Sequence, residues 1–396
     1  MSLLDILKRV QIAAEADTAS HGQNAETHAR LLDEIHNLQL AAETPPEKIR
    51  RVCYQIMQNV SLRAAVELGI VQAIAAGKGQ TVTAVELAGQ TGSDQLLIVR
   101  LMRLVAYAGI VDDKGSASYA ANETTEFLTT SFMGGHVHLT DFAMKISSNI
   151  VSLIRSQNGR LHMFPSGPSQ TSPFHYTYGM SMFDYLKTDP EQKQAFDELM
   201  SLRKLSTAPR WYNSYFDDEI QVSALKTDPD AVLLVDVAGG RGHDISRFKQ
   251  DCSQLPGRLV LQDLPETLRA IDPKLEHVEV MEYDFFNPQP IKGARFYHFR
   301  AIMHDWPDDE CASILSATMS AMDPEYSRIV IEDWVLPDEN VNLRAASMDI
   351  LMMLYLSGIE RTESHWRSLL TDVGLEIVSI RPVGLESVIE ARIAKR

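Results

Sequence analysis

Cysteine is scarce in this sequence. The 396 residues include only Cys53, Cys252 and Cys311, which lie far apart. This spacing suits neither a disulfide framework nor a metal site. The sequence also lacks any apolar run near the ~18 residues of a membrane span, and its start, MSLLDILKRVQIAAEADTASHG, mixes charges where a secretory signal would have an apolar core. We therefore predict a cytoplasmic protein that binds no metal and no membrane.

Positive charge is also in short supply. The chain has 37 lysines and arginines against 53 aspartates and glutamates, for a net charge of −16. Such a charge opposes non-specific attraction to nucleic acid, so we predict no nucleic-acid partner. The length, at roughly 150 residues per domain, indicates two or three domains, and 45% hydrophobic residues are enough to fill globular cores.

The N-terminal part reads as helical. In HARLLDEIHNLQLAAE, apolar residues repeat at threes and fours, namely Leu31, Leu32, Ile35 and Leu38. Such a stripe predicts an amphipathic helix that needs a partner, and hence a homodimer.

Further helices and a short hairpin follow before residue 125. The hairpin, GIVDDKGSASYAAN, is predicted to turn near Lys114 and Gly115, so that the segment has a winged-helix outline. In such an outline the helix DQLLIVRLMRLV would contact DNA. This helix is mostly apolar, and its only basic residues are Arg100 and Arg103. The pattern favours a core or dimer-forming module over a DNA reader.

The pattern changes after about residue 230, where short apolar runs alternate with helical stretches. The runs are AVLLVDVAGG, GRLVLQDL, VEVMEYDFF, ARFYHFRAIM, SRIVIEDWVL and a final GLEIVSIRPV with SVIEARI. Such alternation predicts an α/β fold with a mostly parallel sheet covered by helices on both faces. We predict three domains: a helical domain over 1–150, a helical connection to a substrate pocket over 151–225, and a ligand-binding domain over 226–396.

The stretch LLVDVAGGRGHDISRF reads as a buried strand, a glycine-rich turn and the start of a helix. This is where open α/β sheets bind ligands. Ile245 stands where the third glycine of a dinucleotide-binding loop would be, so a pyrophosphate is not the expected guest. Asp236 before the turn suggests a ligand with positive charge, and Gly239, Gly240 and Gly242 would let the backbone approach it closely.

An acidic residue also ends the next predicted strand. Asp263, in LVLQDLPETL, stands where an acid that binds ribose hydroxyls would stand. Alone, it could equally cap the helix that follows. Together with the glycine-rich turn, it indicates an adenosine ligand.

Six ordered stretches resemble the S-adenosylmethionine-dependent O-methyltransferases of the large dimeric type, which occur among plant phenolic and fungal secondary-metabolite enzymes. The stretches are VDVAGGRG, LQDLP, YDFF, FRAIMHDWPDDEC, VLPDE and GIERTESHWRSLLTDVGL, and the resemblance runs from about residue 50 to the C-terminus. It implies a Rossmann-like class I methyltransferase domain with a mostly parallel sheet, preceded by a mainly helical, winged-helix dimerisation domain. The implied reaction methylates a hydroxyl group of a phenolic or polyketide-like small molecule.

The resemblance also implies where the cofactor S-adenosylmethionine contacts the chain. The three loop glycines would contact its methionine part, Asp263 its ribose, Asp284 and Phe285 its adenine, and Arg300 would lie near it. The full set of predicted cofactor residues is Asp236, Gly239, Gly240, Gly242, Asp263, Leu264, Asp284, Phe285 and Arg300. In one departure, Ala238 stands where this family usually has a further glycine.

His304, in FRAIMHDWPDDE, is the candidate general base. A phenol has a pKa of about 10 and a histidine about 6.5, so full deprotonation before attack is uphill by about 5 kcal/mol. A carboxylate behind the imidazole raises its basicity and fixes its tautomer. The resemblance places two acids there, Asp333 in IEDWVLP and Glu360 in IERT. Because strand side chains alternate, only one of Glu332 and Asp333 can face the site, and both remain open.

Several other residues are candidates for an aromatic substrate pocket. They are His138, Met180, Phe183, Trp334 and Met353. By contrast, the acidic residues 308–310 follow Pro307 and suit the first turn of a helix, which explains them without a metal.

A second hypothesis keeps the fold and the cofactor but changes the reaction. Some fungal relatives use bound S-adenosylmethionine as a fixed cation that promotes dehydration or pericyclic ring formation and is not consumed. His136, His138 and Arg300 could then hydrogen-bond a carbonyl group. The presence of His304 together with Glu360 favours methyl transfer.

Overall fold

The computed structural model describes residues 2–20, 24–157, 172–202, 210–216, 222–269, 271, 275–383 and 386–395. They form two compact units. The first comprises Met1–Met144 and Asp189–Leu205, and the second comprises Lys145–Thr188 and Ser206–Arg396. The segment after residue 188 therefore groups with the N-terminal residues, although we expected it in a separate connection. The division into three domains stays a prediction.

Helices make up most of the first unit and alternate with strands in the second. The helices are α1 (Leu3–Ala19), α2 (Ala25–Ala42), α3 (Pro45–Glu67), α4 (Ile70–Ala76), α5 (Ala84–Thr91), α6 (Gln95–Tyr107), α7 (Glu123–Phe127), α8 (Met133–Ser156), α9 (Pro173–Tyr178), α10 (Met182–Thr188), α11 (Pro190–Leu202), α12 (Trp211–Tyr215), α13 (His243–Asp251), α14 (Pro265–Leu268), α15 (Asp308–Met319), α16 (Leu343–Leu356) and α17 (Glu363–Asp372). Among the described residues, no single helix is long and apolar enough to cross a membrane, and α3 with α4 passes that test only as a pair bent by 65°.

The strands form two sheets. They are β1 (Val82–Thr83), β2 (Asp112–Gly115), β3 (Ser118–Ala120), β4 (Val232–Val237), β5 (Arg258–Asp263), β6 (Glu279–Glu282), β7 (Phe296–Arg300), β8 (Arg328–Asp333), β9 (Leu375–Val383) and β10 (Glu386–Ile393). The small sheet has the order β1-β3-β2, and the large one β6-β5-β4-β7-β8-β10-β9. The first five strands of the large sheet are parallel, and β10 is antiparallel to both β8 and β9. This confirms the prediction of a mostly parallel sheet that follows a mainly helical domain.

Strand β4 shows why the central strands read as continuous apolar runs. All six of its residues are buried. Val235 belongs to one apolar cluster and Leu234 to another, because successive side chains point to opposite faces of the sheet. A parallel sheet packed on both faces needs apolar residues at both alternations.

The hairpin of β2 and β3 turns two residues later than we predicted. Gly115 still pairs with Ser118 across the two strands, and the turn lies at Ser116 and Ala117. Both residues have positive φ, 51° and 54°, which is the backbone of a tight two-residue hairpin turn. The predicted hairpin is therefore present, and its turn lies two residues past Lys114 and Gly115 because Gly115 is the last residue of β2.

The N-terminal helices leave a row of apolar side chains exposed. The exposed residues on α2 and α3 include Leu32, Ile35, Ile49, Val52, Ile56 and Val60. Exposed apolar side chains in this number on neighbouring segments of the sequence are typical of an interface with another chain.

Candidate active site

His304 lies at the carboxyl edge of the large sheet. Strand β7 ends at Arg300, and a short 3-10 turn over Met303–Asp305 then carries the histidine. The side chain is buried, and its main-chain carbonyl accepts a hydrogen bond from the amide of Ile359 at 2.9 Å. A side chain at Gly358 would overlap that carbonyl oxygen, so the loop before Glu360 packs directly on the turn.

Three carboxylates surround the His304 ring. Its Nδ1 lies 2.9 Å from Oε1 of Glu360 and 3.6 Å from Oδ1 of Asp333, and its Nε2 lies 3.4 Å from Oδ1 of Asp305. A hydrogen bond from Nδ1 to Glu360 leaves Nε2 as the basic nitrogen of the neutral ring. Asp333, and not Glu332, is therefore the residue of β8 that lies beside His304.

The carboxylates change how strongly His304 holds a proton. Burial opposes protonation of the ring, but the charges of Asp333, Asp305 and Glu360 outweigh it and raise the pKa of His304 to about 10. Burial raises the pKa of Asp333 to about 7, against the opposing effect of His304. Within the described residues, neither oxygen of Asp333 has a hydrogen-bond partner. His304 and its carboxylate neighbours can therefore hold a proton far more firmly than an isolated histidine can.

Arg361 holds the turn that carries His304, and sequence reasoning missed it. Its side chain is fully buried. The guanidinium donates to the main-chain carbonyls of Met303 at 2.9 Å and Trp306 at 2.7 Å, and to the carboxylate of Asp308 at 2.9 Å. Glu360 thus holds the ring of His304, while the next residue along the chain holds the backbone on both sides of it.

The acidic run 308–310 opens α15, as we predicted from its position after Pro307. Asp308 has a further role, because it pairs with Arg361 and also lies 2.7 Å from Nε2 of His365. In the part of the chain that the structure describes, no group of three or more acidic, histidine or cysteine side chains is placed to hold a metal ion.

The glycine-rich turn between β4 and α13 has an unusual backbone. Ala238, Gly240 and Gly242 all have positive φ, at 57°, 62° and 75°. Ala238 therefore adopts the left-handed conformation at the position where a further glycine was expected from the family resemblance. Among the described residues, no atom lies within 4 Å of the position that a side-chain carbon at Gly240 would take, so these residues leave space beside it for a ligand.

Asp263 links the end of β5 to that turn. Its Oδ2 accepts a hydrogen bond from the amide of Gly240 at 2.8 Å, and its Oδ1 accepts one from the amide of Leu264 at 2.7 Å. Each carboxylate oxygen has a second lone pair that can accept a hydrogen bond from a hydroxyl group. The residue therefore braces the turn and keeps acceptor capacity toward a ligand.

A second buried histidine, His298, lies on β7 between two carboxylates. Its Nδ1 lies 2.9 Å from Oδ1 of Asp236, and its Nε2 lies 2.8 Å from Oε1 of Glu332. Burial opposes protonation, but these two partners outweigh it and raise the pKa of His298 to about 10. Glu332 and Asp333, adjacent on β8, thus serve two different histidines.

Arg300 is held in ion pairs. Its Nη1 lies 2.6 Å from Asp244 in the first turn of α13, its Nη2 lies 3.1 Å from Glu386, and its Nε lies 4.0 Å from Glu332. We predicted that Arg300 lies near the cofactor. The structure shows that it ties the helix after the glycine-rich turn to the sheet.

The residues expected around the adenine lie after β6. Asp284 is exposed, and its Oδ1 accepts a hydrogen bond from the amide of Phe286 at 3.0 Å. Phe285 is half-buried and packs edge-on against Trp306, with ring centroids 5.8 Å apart. Phe285 thus adjoins the turn of His304, and Leu264 is exposed at the end of β5.

The candidate pocket residues are divided between the units. Met180, Phe183, Trp334 and Met353 belong to the second unit, where each keeps part of its surface exposed. His138 belongs to the first unit, where it is buried beside Phe142 and Phe196. Burial lowers the pKa of His138 to about 4, so the ring is neutral near pH 7. A pocket shared by these residues stays a prediction.

We expect the variant Asp263→Ala to bind S-adenosylmethionine about 10 to 100 times more weakly, because charge-assisted hydrogen bonds contribute about 1.5 to 3 kcal/mol. Calorimetric titration measures the change. The thermal midpoint of the free protein serves as the control, since Asp263 also braces Gly240. A parental dissociation constant in a folded variant would reject the placement of the ribose at Asp263.

Models of two protein families match the chain. The model described as an O-methyltransferase domain matches residues 162–376. The model described as an O-methyltransferase dimerisation domain matches residues 51–131. The dimerisation match covers most of α3 and continues to α7, and the other match covers the five parallel strands of the large sheet.

Curated relatives and solved structures match over nearly the whole chain. O-methyltransferase ucdC of Aspergillus ustus is 32% identical, over 93% of this chain and 94% of its own. Demethylsterigmatocystin 6-O-methyltransferase of Aspergillus parasiticus is 30% identical, over 87% of each chain. The solved structure of LepI in complex with SAM has a TM-score of 0.81 at 26% identity, over 97% of this chain and 98% of its own. OxaC in complex with sinefungin and meleagrin has a TM-score of 0.79 at 28% identity, over 99% and 98%.

Proposed function

This chain belongs to the S-adenosylmethionine-dependent O-methyltransferases, and on that premise we propose that it methylates a hydroxyl group of a phenolic or polyketide-like small molecule with His304 as the general base. The observation that carries the proposal is the buried imidazole of His304, bonded through Nδ1 to Glu360 and lying beside Asp333. The names of fungal relatives, one of them a demethylsterigmatocystin 6-O-methyltransferase, support the substrate class.

For methyl transfer, the protein needs mainly to align the substrate hydroxyl with the methyl group and to remove the hydroxyl proton. Bound S-adenosylmethionine supplies a methyl group that is already strongly electrophilic. His304 takes the hydroxyl proton at Nε2, while Glu360 holds Nδ1 and Asp333 stabilises the imidazolium that forms. Since the carboxylates raise the pKa of His304 to about 10, proton transfer from a phenol of pKa ~10 to the neutral ring is close to balanced, while the free-energy cost near pH 7 lies in forming the neutral ring.

The glycine-rich turn and Asp263 fit the cofactor by their own chemistry. The space that the described residues leave beside Gly240 would admit a ligand close to the backbone. Within the described residues, Oδ2 of buried Asp236 has no hydrogen-bond partner, and a carboxylate oxygen suits a positively charged group. We propose that the turn and Asp236 hold the methionine part, Asp263 the ribose, and Asp284 with Phe285 the adenine.

We expect kcat/KM to rise by about tenfold per pH unit across the neutral range, because only the neutral ring of His304 accepts a proton. With a pKa of about 10, roughly one ring in a thousand is neutral at pH 7. Asp333→Asn removes the charge that does most to raise this pKa, so its profile should shift to lower pH by about 1 to 3 units. Steady-state kinetics across pH measure both profiles.

Glu332→Gln is the matched control for this shift, because it removes the neighbouring carboxylate on the opposite face of β8. Its profile should keep the parental position. Ionisation of the substrate is the same for every variant, so it cannot produce a difference between them. Superimposed profiles for the parent and Asp333→Asn would show that His304 and Asp333 are not the titrating pair.

Isotope transfer tests the reaction itself. The protein is incubated with S-adenosylmethionine labelled on the methyl group and with a panel of phenols and aromatic polyketides. We expect the label in a methyl ether and an equal amount of S-adenosylhomocysteine. Product formation without labelled methyl ether would overturn the proposal.

A second candidate is a reaction in which S-adenosylmethionine is bound but not consumed. A solved structure described as a pericyclic reaction enzyme, 26% identical to this chain with a TM-score of 0.80, favours it. The ion pairs of Arg300 and the burial of His138 within the first unit weigh against the roles that we considered for these residues. The isotope experiment separates the candidates, because product would then form with the cofactor recovered intact.

We expect the full chain to sediment as a homodimer, because apolar side chains on α2 and α3 are too exposed to remain in water. The match of residues 51–131 to a dimerisation domain supports this. Ile49→Glu together with Ile56→Glu places charges in the row and should shift the equilibrium toward monomer at micromolar concentration. Val378→Glu, at an exposed apolar residue of the second unit, is the control. A monomeric parent would contradict the prediction.

A further inference from the structure

The buried group Asp236, His298 and Glu332 is not used by the proposed proton transfer. It lies on the face of the sheet opposite to His304. Asp236 and His298 are direct partners across β4 and β7, while Arg300 and Glu332 are direct partners across β7 and β8. Trp211 of α12 stacks on the His298 ring, with centroids 5.9 Å apart. Two carboxylates and one imidazole are therefore enclosed in the interior of the protein.

Burying these two carboxylates and the imidazole costs free energy, because charged groups are removed from water. Replacing buried ion pairs with apolar side chains of similar volume is often neutral or stabilising. The flanking residues of the same face, Leu234 and Phe296, show that this side of the sheet is otherwise packed with apolar groups. We therefore infer that these buried charged residues have a role other than packing.

The free oxygen of Asp236 points to that role. Its Oδ1 is taken by His298, whereas Oδ2 has no hydrogen-bond partner within the described residues. A side chain at Gly239 would overlap Oδ2, so this oxygen lies against the glycine-rich turn. Burial raises the pKa of Asp236, and His298 opposes the rise. His298 thus orients the carboxylate and opposes the effect of burial on its pKa.

We propose that His298, clamped between Asp236 and Glu332, is a positioning residue that aims the Asp236 carboxylate at the positively charged amino group of the cofactor's methionine part. The proposal rests on the placement of that part at the glycine-rich turn. Glu332 serves as the second anchor, which fixes the ring so that its Nδ1–H faces Asp236. Arg300 in turn holds Glu332 and, through Asp244, the helix that follows the turn.

Two nucleosides separate this role from a general effect on folding. S-adenosylhomocysteine carries the amino group, and 5′-methylthioadenosine lacks the whole amino-acid part. We expect His298→Gln to weaken binding of S-adenosylhomocysteine by at least about tenfold, since a charge-assisted interaction is lost, and to change binding of 5′-methylthioadenosine by less than about twofold. Calorimetric titration of the full chain measures both dissociation constants.

Two further variants, His298→Lys and Asp236→Asn, complete the test of His298. His298→Lys restores a buried cation and should recover part of the affinity for S-adenosylhomocysteine. If His298→Gln does not fold, Asp236→Asn removes the charge but keeps the shape, and it should show the same selective loss. Equal weakening of both nucleosides, or of neither, would overturn the proposal. Isotope transfer by the parent preparation is measured in parallel, so failure of methyl transfer is told apart from failure of this inference.

Discussion

His304→Gln should lower the rate of methyl transfer by about 10²- to 10⁴-fold, the usual effect of losing a general base. The amide of glutamine can still donate to Glu360, which lies 2.9 Å from Nδ1 of the parent ring, but it cannot accept a proton near neutral pH. The dissociation constant for S-adenosylmethionine should stay at the parental value, because the glycine-rich turn and Asp263 are untouched. Single-turnover kinetics measure the chemical step directly.

The loss of rate in His304→Gln should depend on the pKa of the substrate hydroxyl. Phenols with a lower pKa need less help from a base, so their rates should fall less than those of ordinary phenols. His28→Gln is the control, because it removes a histidine that lies 3.3 Å from Asp17 in the first unit. If His304→Gln transfers methyl at the parental rate, the proton must leave by another route.

Replacing Arg361 with methionine should destabilise the protein by about 3 to 5 kcal/mol, as expected when one partner of a buried ionic group is removed. The change leaves the carbonyls of Met303 and Trp306 without their buried donor. Arg361→Lys should rescue little, because a single ammonium cannot reproduce the fork that reaches two carbonyls and the carboxylate of Asp308. The midpoint of urea unfolding measures the loss.

Arg367→Met is the matched control for this prediction. Arg367 is exposed on α17 and bonds only to Glu363, one turn earlier in the helix, among the described residues. Exposed pairs of this kind contribute about 0.3 to 0.5 kcal/mol. If Arg361→Met unfolds at the same urea concentration as Arg367→Met, the guanidinium does not hold the histidine turn.

Much of the fold could be predicted because the large sheet has a strong signature. Runs such as VLLVDV, in which every residue is buried, occur where helices cover both faces of a parallel sheet. The order of the strands and the return of residues 189–205 to the first unit depend on contacts between distant segments. No periodicity within a segment encodes such contacts.

The candidate site was predicted less evenly. His304 and Glu360 stood out because they lie in motifs, whereas the choice between Glu332 and Asp333 needed the register of β8 against its neighbours. His298 was missed because a histidine inside the buried strand FYHFR reads as an ordinary core residue. Its signal is that Asp236 and Glu332 each lie one residue before the end of the strand beside it, which is visible only when the strand order is known.

The alternation on β8 also limits how this strand can change in evolution. Glu332 and Asp333 point to opposite faces, one toward His298 and the other toward His304. Inserting one residue ahead of Ile331 and Glu332 would reverse the side chains that follow, so that Glu332 would lie beside His304 and Ile331 beside His298. We therefore expect insertions and deletions inside this strand to remove at least one of the two histidine–carboxylate contacts, whereas length changes in the loop that follows Asp333 would leave both in place.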